Sequence, residues 1–399
     1  MSHILFAWEL GEDLGHLARI SVVASELVAR GHKVTVTVKD LSRSSLFFSG
    51  SDVQLMQSPV WLPRPRKPPL TKTMADILAY RGYGSVDGLT SLIQAWSSLL
   101  AVTAPDVVVS DYAPTALLAA SRYKIPRVVF SNSFSFPQPG MPAQDICPWI
   151  PAPLNVMRQK EQQIVDNINA TAARLGFQPI HHFSDVFNHE AAFITELPMF
   201  DSYQHSRKDA HYVGTVPNGD NFETADWGAA PGKRIFVYLK PGRPHVDTVL
   251  RLLKGNEAIV RGYFPGDLPS DLKPESNGSF QLSNQPLNVE KSLMEADGAV
   301  LHGGIGTLCQ VVLAGKPAFT LPTQIEQTFN AYRIREGGNG DWIGRKSDNS
   351  EIQQRFQNFM TSDTMAQRAK ALAKENAKFG GVPFSETVCD GIEAVIGNC

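Results

Sequence analysis

The residues His302-Gly303-Gly304-Ile305-Gly306-Thr307 follow the apolar run 298–301 and lead into the helix-like stretch 308–313. A strand, a glycine turn and a helix N-terminus in that order form an anion site. Backbone N–H groups and the helix dipole attract negative charge there, and glycines let a phosphate come close. Thr307 adds a hydroxyl, and His302 has a ring N–H to donate from the strand end. The chemistry expected is binding of a phosphate or pyrophosphate.

A second group lies near the start of the chain. Gly15-His16 stands where a first strand passes into a first helix, and Asp111 ends the apolar run 106–110. Both positions are carboxyl ends of parallel strands, the edge on which open α/β sheets bind ligands. A carboxylate that accepts from one imidazole nitrogen fixes the tautomer and makes the other nitrogen a better base. His16 supported by Asp111 is therefore a candidate general base for a hydroxyl proton. Glu9 and Asp13 share the loop with His16 and are candidate contacts for acceptor hydroxyls.

The elements that hold these groups alternate. Strand 4–8, helix 17–30 closed by Gly31, and strand 33–38 make a βαβ unit. Residues 51–100 mix proline and glycine with one periodic stretch, 89–100, and read as an excursion from the sheet. Strand 106–110, helix 113–122 and strand 127–131 resume it. Five prolines within 134–151 mark a loop, the helix 154–175 follows, and strand 191–195 and the extended 212–214 close the half. A second alternation runs from strand 234–239 to helices at 350–359 and 364–378. The expected division is 1–214, a linker 215–233 without apolar periodicity, and 234–399, with the last helix free to pack back on the first domain.

The spacing His302, Gly304, Thr307, Gln310, Gly315, Pro317, Pro322, Glu326, Gln327 is gap-free. It resembles the nucleotide-sugar signature of family 1 glycosyltransferases, the bacterial antibiotic and glycolipid type. That resemblance implies the GT-B fold class, two Rossmann-like α/β domains facing across a cleft. It implies donor binding by His302, Gly303, Gly304, Gly306, Thr307 and Gln310, the last standing where the family commonly has a ribose-binding glutamate. Glu326-Gln327 matches the pair that holds the sugar hydroxyls, and His16 and Asp111 match the family's base and its support. The tryptophan that plant members stack on the base has no counterpart in 283–287. Trp61 and Phe134, with other aromatics, are expected around the acceptor. The basic run at Arg64, Arg66 and Lys67 lies in the excursion that lines the acceptor side in this family.

The chain contains no Asp-x-Asp motif, so helix N-terminus, Thr307 and His302 are expected to stabilise the leaving diphosphate without a metal. One base and no protein nucleophile predicts single displacement with inversion. The partners expected are a UDP- or TDP-sugar and a small-molecule or lipid acceptor, with no further cofactor. The competing readings are a sugar-nucleotide-binding protein without catalysis and a GT-B nucleotide-sugar epimerase.

Composition agrees with a globular enzyme of 399 residues, enough for two domains of about 200 each. A net charge of −2 gives no reason to expect nucleic acid as a partner. No signal peptide or apolar run long enough to cross a membrane is read, and four scattered cysteines show no metal or disulfide spacing, which points to the cytoplasm.

Overall fold

A computed structural model describes the chain except for residues 13, 64–70, 141, 204–206, 208–210, 217–221, 273–277 and 399. Two compact units are present, each built on one parallel sheet.

In the first unit the strands are β1 (His3–Trp8), β2 (Lys33–Val38), β3 (Gln54–Gln57), β4 (Val107–Asp111), β5 (Arg127–Ser131), β6 (Ala191–Ile194) and β7 (His211–Tyr212). Their order is β3-β2-β1-β4-β5-β6-β7. Parallel strands buried on both faces read as continuous apolar runs, and β1 and β4 are buried throughout. Strand order reverses between β1 and β4, which makes a topological switch point at their carboxyl ends. The register sets Trp8 opposite Asp111 there. Among the described residues, β3 corrects the reading of 51–100 as lying outside the sheet, since Thr35 to Val38 pair with Gln54 to Gln57. The half-exposed sequence Gln-Leu-Met-Gln carries no strong apolar signal. The backbone ladder to β2 places it at the sheet edge.

The second unit holds β8 (Arg234–Tyr238), β9 (Ile259–Tyr263), β10 (Phe280–Ser283), β11 (Gly298–Leu301), β12 (Ala318–Thr320) and β13 (Gly340–Trp342), in the order β10-β9-β8-β11-β12-β13. Its switch point lies between β8 and β11, with Leu301 opposite Tyr238. Val246, Val249, Leu250 and Leu253 recur at helical spacing and fill one side of the sheet with Phe319, Phe356 and Phe359.

The units divide at Val216/Pro217 and again at Gly381/Val382. The first division falls inside the expected linker 215–233, and the second lets the last helix pack back on the first unit. Residues 222–233 do not form a free linker: Trp227 is buried and its indole donates to Ser292 O at 3.2 Å, so this stretch packs on the second unit. The C-terminal helix Phe384–Gly397 belongs to the first unit, where Phe384, Val388 and Ile392 join the core of Leu17, Ile20 and Leu27. Arg30 reaches Asp390 and Glu393 at 2.6 and 2.8 Å, and His32 Nε2 donates to Glu393 at 2.9 Å. No described helix is long and apolar enough to cross a membrane.

Candidate active site

His16 is the second residue of the helix Gly15–Ala29, and Asp111 ends β4, so both arrive at the first switch point. His16 Nδ1 lies 3.0 Å from Asp111 Oδ2. The imidazole stacks on Trp8, with centroids 4.9 Å apart and planes at 17°. Gly11, at φ +85°, passes over the outer nitrogen: a Cβ on it would sit 2.5 Å from His16 Nε2. A glycine is therefore required there for both the backbone angle and the space. Lys39 pins this loop by donating to Gly11 O.

Arg19, one turn further along the same helix, is the residue that sequence reading missed. Its Nε donates to Asp111 Oδ2 and its Nη2 to Oδ1, each at 2.6 Å. Nη2 also lies 2.6 Å from His16 Nδ1. Ser131, at the end of β5, donates to Asp111 Oδ1 at 2.8 Å. Thr195, just past β6, accepts from Arg19 Nη1 at 3.3 Å. Burial alone would raise the Asp111 carboxyl; the facing Arg19 and His16 hold it down to about 2. Burial lowers His16 below its usual range. Asp111 opposes that shift, while Arg19 and Lys39 add to it.

The other residues proposed for the acceptor divide. Glu9 does not offer its carboxylate to an acceptor: it is 2% exposed and accepts from Thr115 N at 3.0 Å and Thr115 Oγ1 at 2.6 Å. It caps the helix Pro114–Arg122 from outside, because β1 and β4 are adjacent and Glu9 leaves β1 at that helix start. Phe134 is buried edge-on to Tyr112, centroids 6.4 Å apart, and the Tyr112 ring borders Gly11. Trp61 is half-buried over Gly82 and Gly88. Tyr83, Trp96 and Phe136 are core. Asp13, Arg64, Arg66 and Lys67 lie outside the described residues.

Glu9 carries a pH dependence of its own. Burial pushes its carboxyl up to about 7 despite the Thr115 bonds, from 4.5 when unperturbed. Between these values the folded chain holds a proton that the unfolded chain has released, so stability falls as pH rises through that window. The loss is on the order of 3 kcal/mol. Urea midpoints at pH 5 and pH 8 are expected to differ less in Glu9→Gln than in the native chain; equal differences would remove Glu9 as the cause.

In the second unit, Gly304 precedes the helix Ile305–Leu313 and supplies no capping side chain. Gly303 has φ +92°, and a Cβ there would lie 3.1 Å from Gln327 O. Asn330, also missed from sequence, donates to Gly303 O at 3.0 Å and holds the turn. Thr307 is half-buried in the first turn, and Gln310 is buried one turn on. Gln327 Oε1 accepts from Thr323 N and Oγ1 at 2.9 and 3.1 Å. Glu326 is half-buried in the first turn of Ile325–Glu336.

His302 departs from expectation. Its Nδ1 donates to Leu321 O at 2.9 Å, and its Nε2 accepts from Lys240 N at 2.8 Å. Both nitrogens are thus engaged within the protein, and the ring is not placed to donate to a phosphate. The reason is topological: β11 lies between β8 and β12, so the residue ending it meets the backbone that leaves both neighbours.

Both sheets carry the doubly wound order, and the chain has the GT-B fold. No protein-family model matches it. It is similar to the PGL/p-HBAD biosynthesis glycosyltransferase of Mycobacterium tuberculosis, 23% identical over 412 aligned positions that cover 95% of this chain and 90% of that protein. Among solved structures it is similar to the calicheamicin glycosyltransferase CalG4, with TM-score 0.71, 18% identity, and coverage of 99% of this chain and 98% of that one. It is also similar to the spinosyn rhamnosyltransferase SpnG complexed with thymidine diphosphate, with TM-score 0.66, 14% identity, and coverage of 98% and 100%. These similar proteins are glycosyltransferases.

Proposed function

We propose that this chain moves a sugar from a nucleoside-diphosphate sugar, UDP or TDP, to a hydroxyl of a small-molecule or lipid acceptor. The reaction is a single displacement with inversion and needs no metal or further cofactor. His16 Nε2 takes the proton of the acceptor hydroxyl, whose oxygen attacks the anomeric carbon as the bond to the diphosphate breaks. Asp111 orients the imidazole from Nδ1. The observation that carries this reading is the buried His16–Asp111 contact of 3.0 Å at a sheet switch point, with Nε2 on the far side of the ring.

The leaving diphosphate gains charge, and the N-terminus of Ile305–Leu313 with Thr307 stabilises it. Gln310 is assigned to the ribose, and Glu326 with the Gln327 amide to the sugar hydroxyls. His302 supports the strand ends from within. The thymidine diphosphate of SpnG favours TDP among the donors.

A thermal-shift titration with UDP, TDP, GDP and ADP, each with magnesium or with EDTA, tests the donor half. A nucleotide at 100 times its dissociation constant stabilises by about 2.7 kcal/mol. One pyrimidine diphosphate is expected to stabilise the chain equally in EDTA. Stabilisation only with magnesium would overturn the metal-free site, and no response to any nucleotide would overturn the glycine-loop assignment.

A further inference from the structure

Arg19 is 5% exposed and meets Asp111 side-on through Nε and Nη2, the bidentate form in which guanidinium–carboxylate pairs are strongest. With Ser131 on Oδ1 and His16 on Oδ2, each carboxylate oxygen already holds two contacts. Thr195 steadies the guanidinium from its other side. Arg19 is thus fixed, and it shares Asp111 with His16 in one buried cluster.

That sharing changes what the histidine can do. In a bare histidine–carboxylate pair, a proton taken by the imidazole yields a cation beside an anion. Here the same proton would leave two cations around one carboxylate, both buried. The Arg19 Nη2 contact also competes for Nδ1, which either donates to Asp111 or accepts from Arg19. We propose that Arg19 is a positioning residue that offsets part of the Asp111 charge facing His16 and so limits the site to acceptor hydroxyls needing only a weak base, phenols ahead of aliphatic alcohols.

The proposal rests on His16 being the base. As the acceptor oxygen bonds to the anomeric carbon, its proton passes to His16 Nε2 and the electron pair of the breaking bond leaves on the diphosphate. A phenol O–H is acidic enough to transfer its proton to a weak base; an aliphatic O–H asks for a stronger one. The rings beside His16 are packed on the protein itself: Trp8 stacks on His16, the Tyr112 ring borders Gly11, and Phe134 stands edge-on to Tyr112. The charged groups that face His16 are Arg19 on its own helix, Asp111 at the end of β4 and Lys39 after β2. Glu9 is turned to Thr115.

The test has two readouts. Nitrogen-15 NMR of the histidines follows the protonation of His16 with no substrate, in the native chain and in Arg19→Met, Arg19→Gln and Arg19→Lys. Removing the charge is expected to raise the His16 midpoint by about one pH unit, while Arg19→Lys stays near native. Turnover is then measured with UDP-glucose and TDP-glucose on substituted phenols and benzyl alcohols. Native protein is expected to favour the phenols by at least about tenfold, and the uncharged variants to narrow that ratio by a similar factor. Should Arg19→Met fail to fold, Arg19→Gln, which retains a hydrogen bond to Asp111, carries the comparison. An unmoved midpoint in the uncharged variants, or an unchanged acceptor ratio, overturns the role of Arg19. Undiminished turnover in His16→Ala would instead overturn the base assignment on which it rests.

Discussion

Replacing His16 by alanine is expected to lower kcat by about 10²- to 10⁴-fold, the range that general-base groups contribute. Binding of UDP or TDP should remain as in the native chain, because the glycine loop and its supports Asn330 and Gln327 belong to the other unit. The imidazole is held on three sides, by Trp8, Asp111 and the Gly11 loop, so its loss removes the nitrogen proposed to take the acceptor proton. The pH profile of the native enzyme carries the same information. Burial, Arg19 and Lys39 keep His16 below its usual range, so it stays neutral through pH 7 and competent as a base. Activity should fall only on the acid side, as pH drops through that lowered value. Single-turnover rates with saturating donor measure the loss. A variant that turns over at the native rate would sink the mechanism, whatever its nucleotide affinity.

Asp111→Ala has the largest expected effect on stability. It strands the Arg19 guanidinium in the interior and takes away the acceptor used by Ser131 and His16. Breaking a buried ion pair from one side costs about 3–5 kcal/mol, since the remaining charge has no partner. Urea denaturation should show it as a lower midpoint with an unchanged slope. Adding Arg19→Met to Asp111→Ala should recover part of the loss, because the double variant buries no lone charge. A single variant as stable as the native chain would mean that the contact is not formed in solution. The pH sign follows from the depressed carboxyl. The pair contributes fully above the unperturbed value of 3.8, and its contribution is lost as pH falls toward about 2. Native protein should therefore lose stability in that acid window, and Asp111→Asn should lose less there.

The glycine loop, the two strand ends and the α/β alternation are legible in the primary structure for local reasons. Apolar runs such as Val107–Asp111 and Gly298–Leu301 end at glycine or polar residues, and strand, turn and helix N-terminus are each set within a few neighbours. Long-range partners are another matter. Arg19 reads as one polar residue on an amphipathic helix, and only the adjacency of β1 and β4 brings Asp111 to it across 92 positions of sequence. Glu9 reads as a loop carboxylate until the fold sets it on the start of Pro114–Arg122. His302 is recognisable as a strand-end histidine, but the flanking of β11 by β8 and β12 decides that both its nitrogens are taken. The helix Phe384–Gly397 has an apolar face that would suit either sheet, and packing alone assigns it to the first. Backbone propensity and periodicity act over one or two turns of chain, so they specify elements and the chemistry carried on them. Which buried charge meets which is a property of tertiary contact, and in this protein that contact sets the charged surroundings of His16.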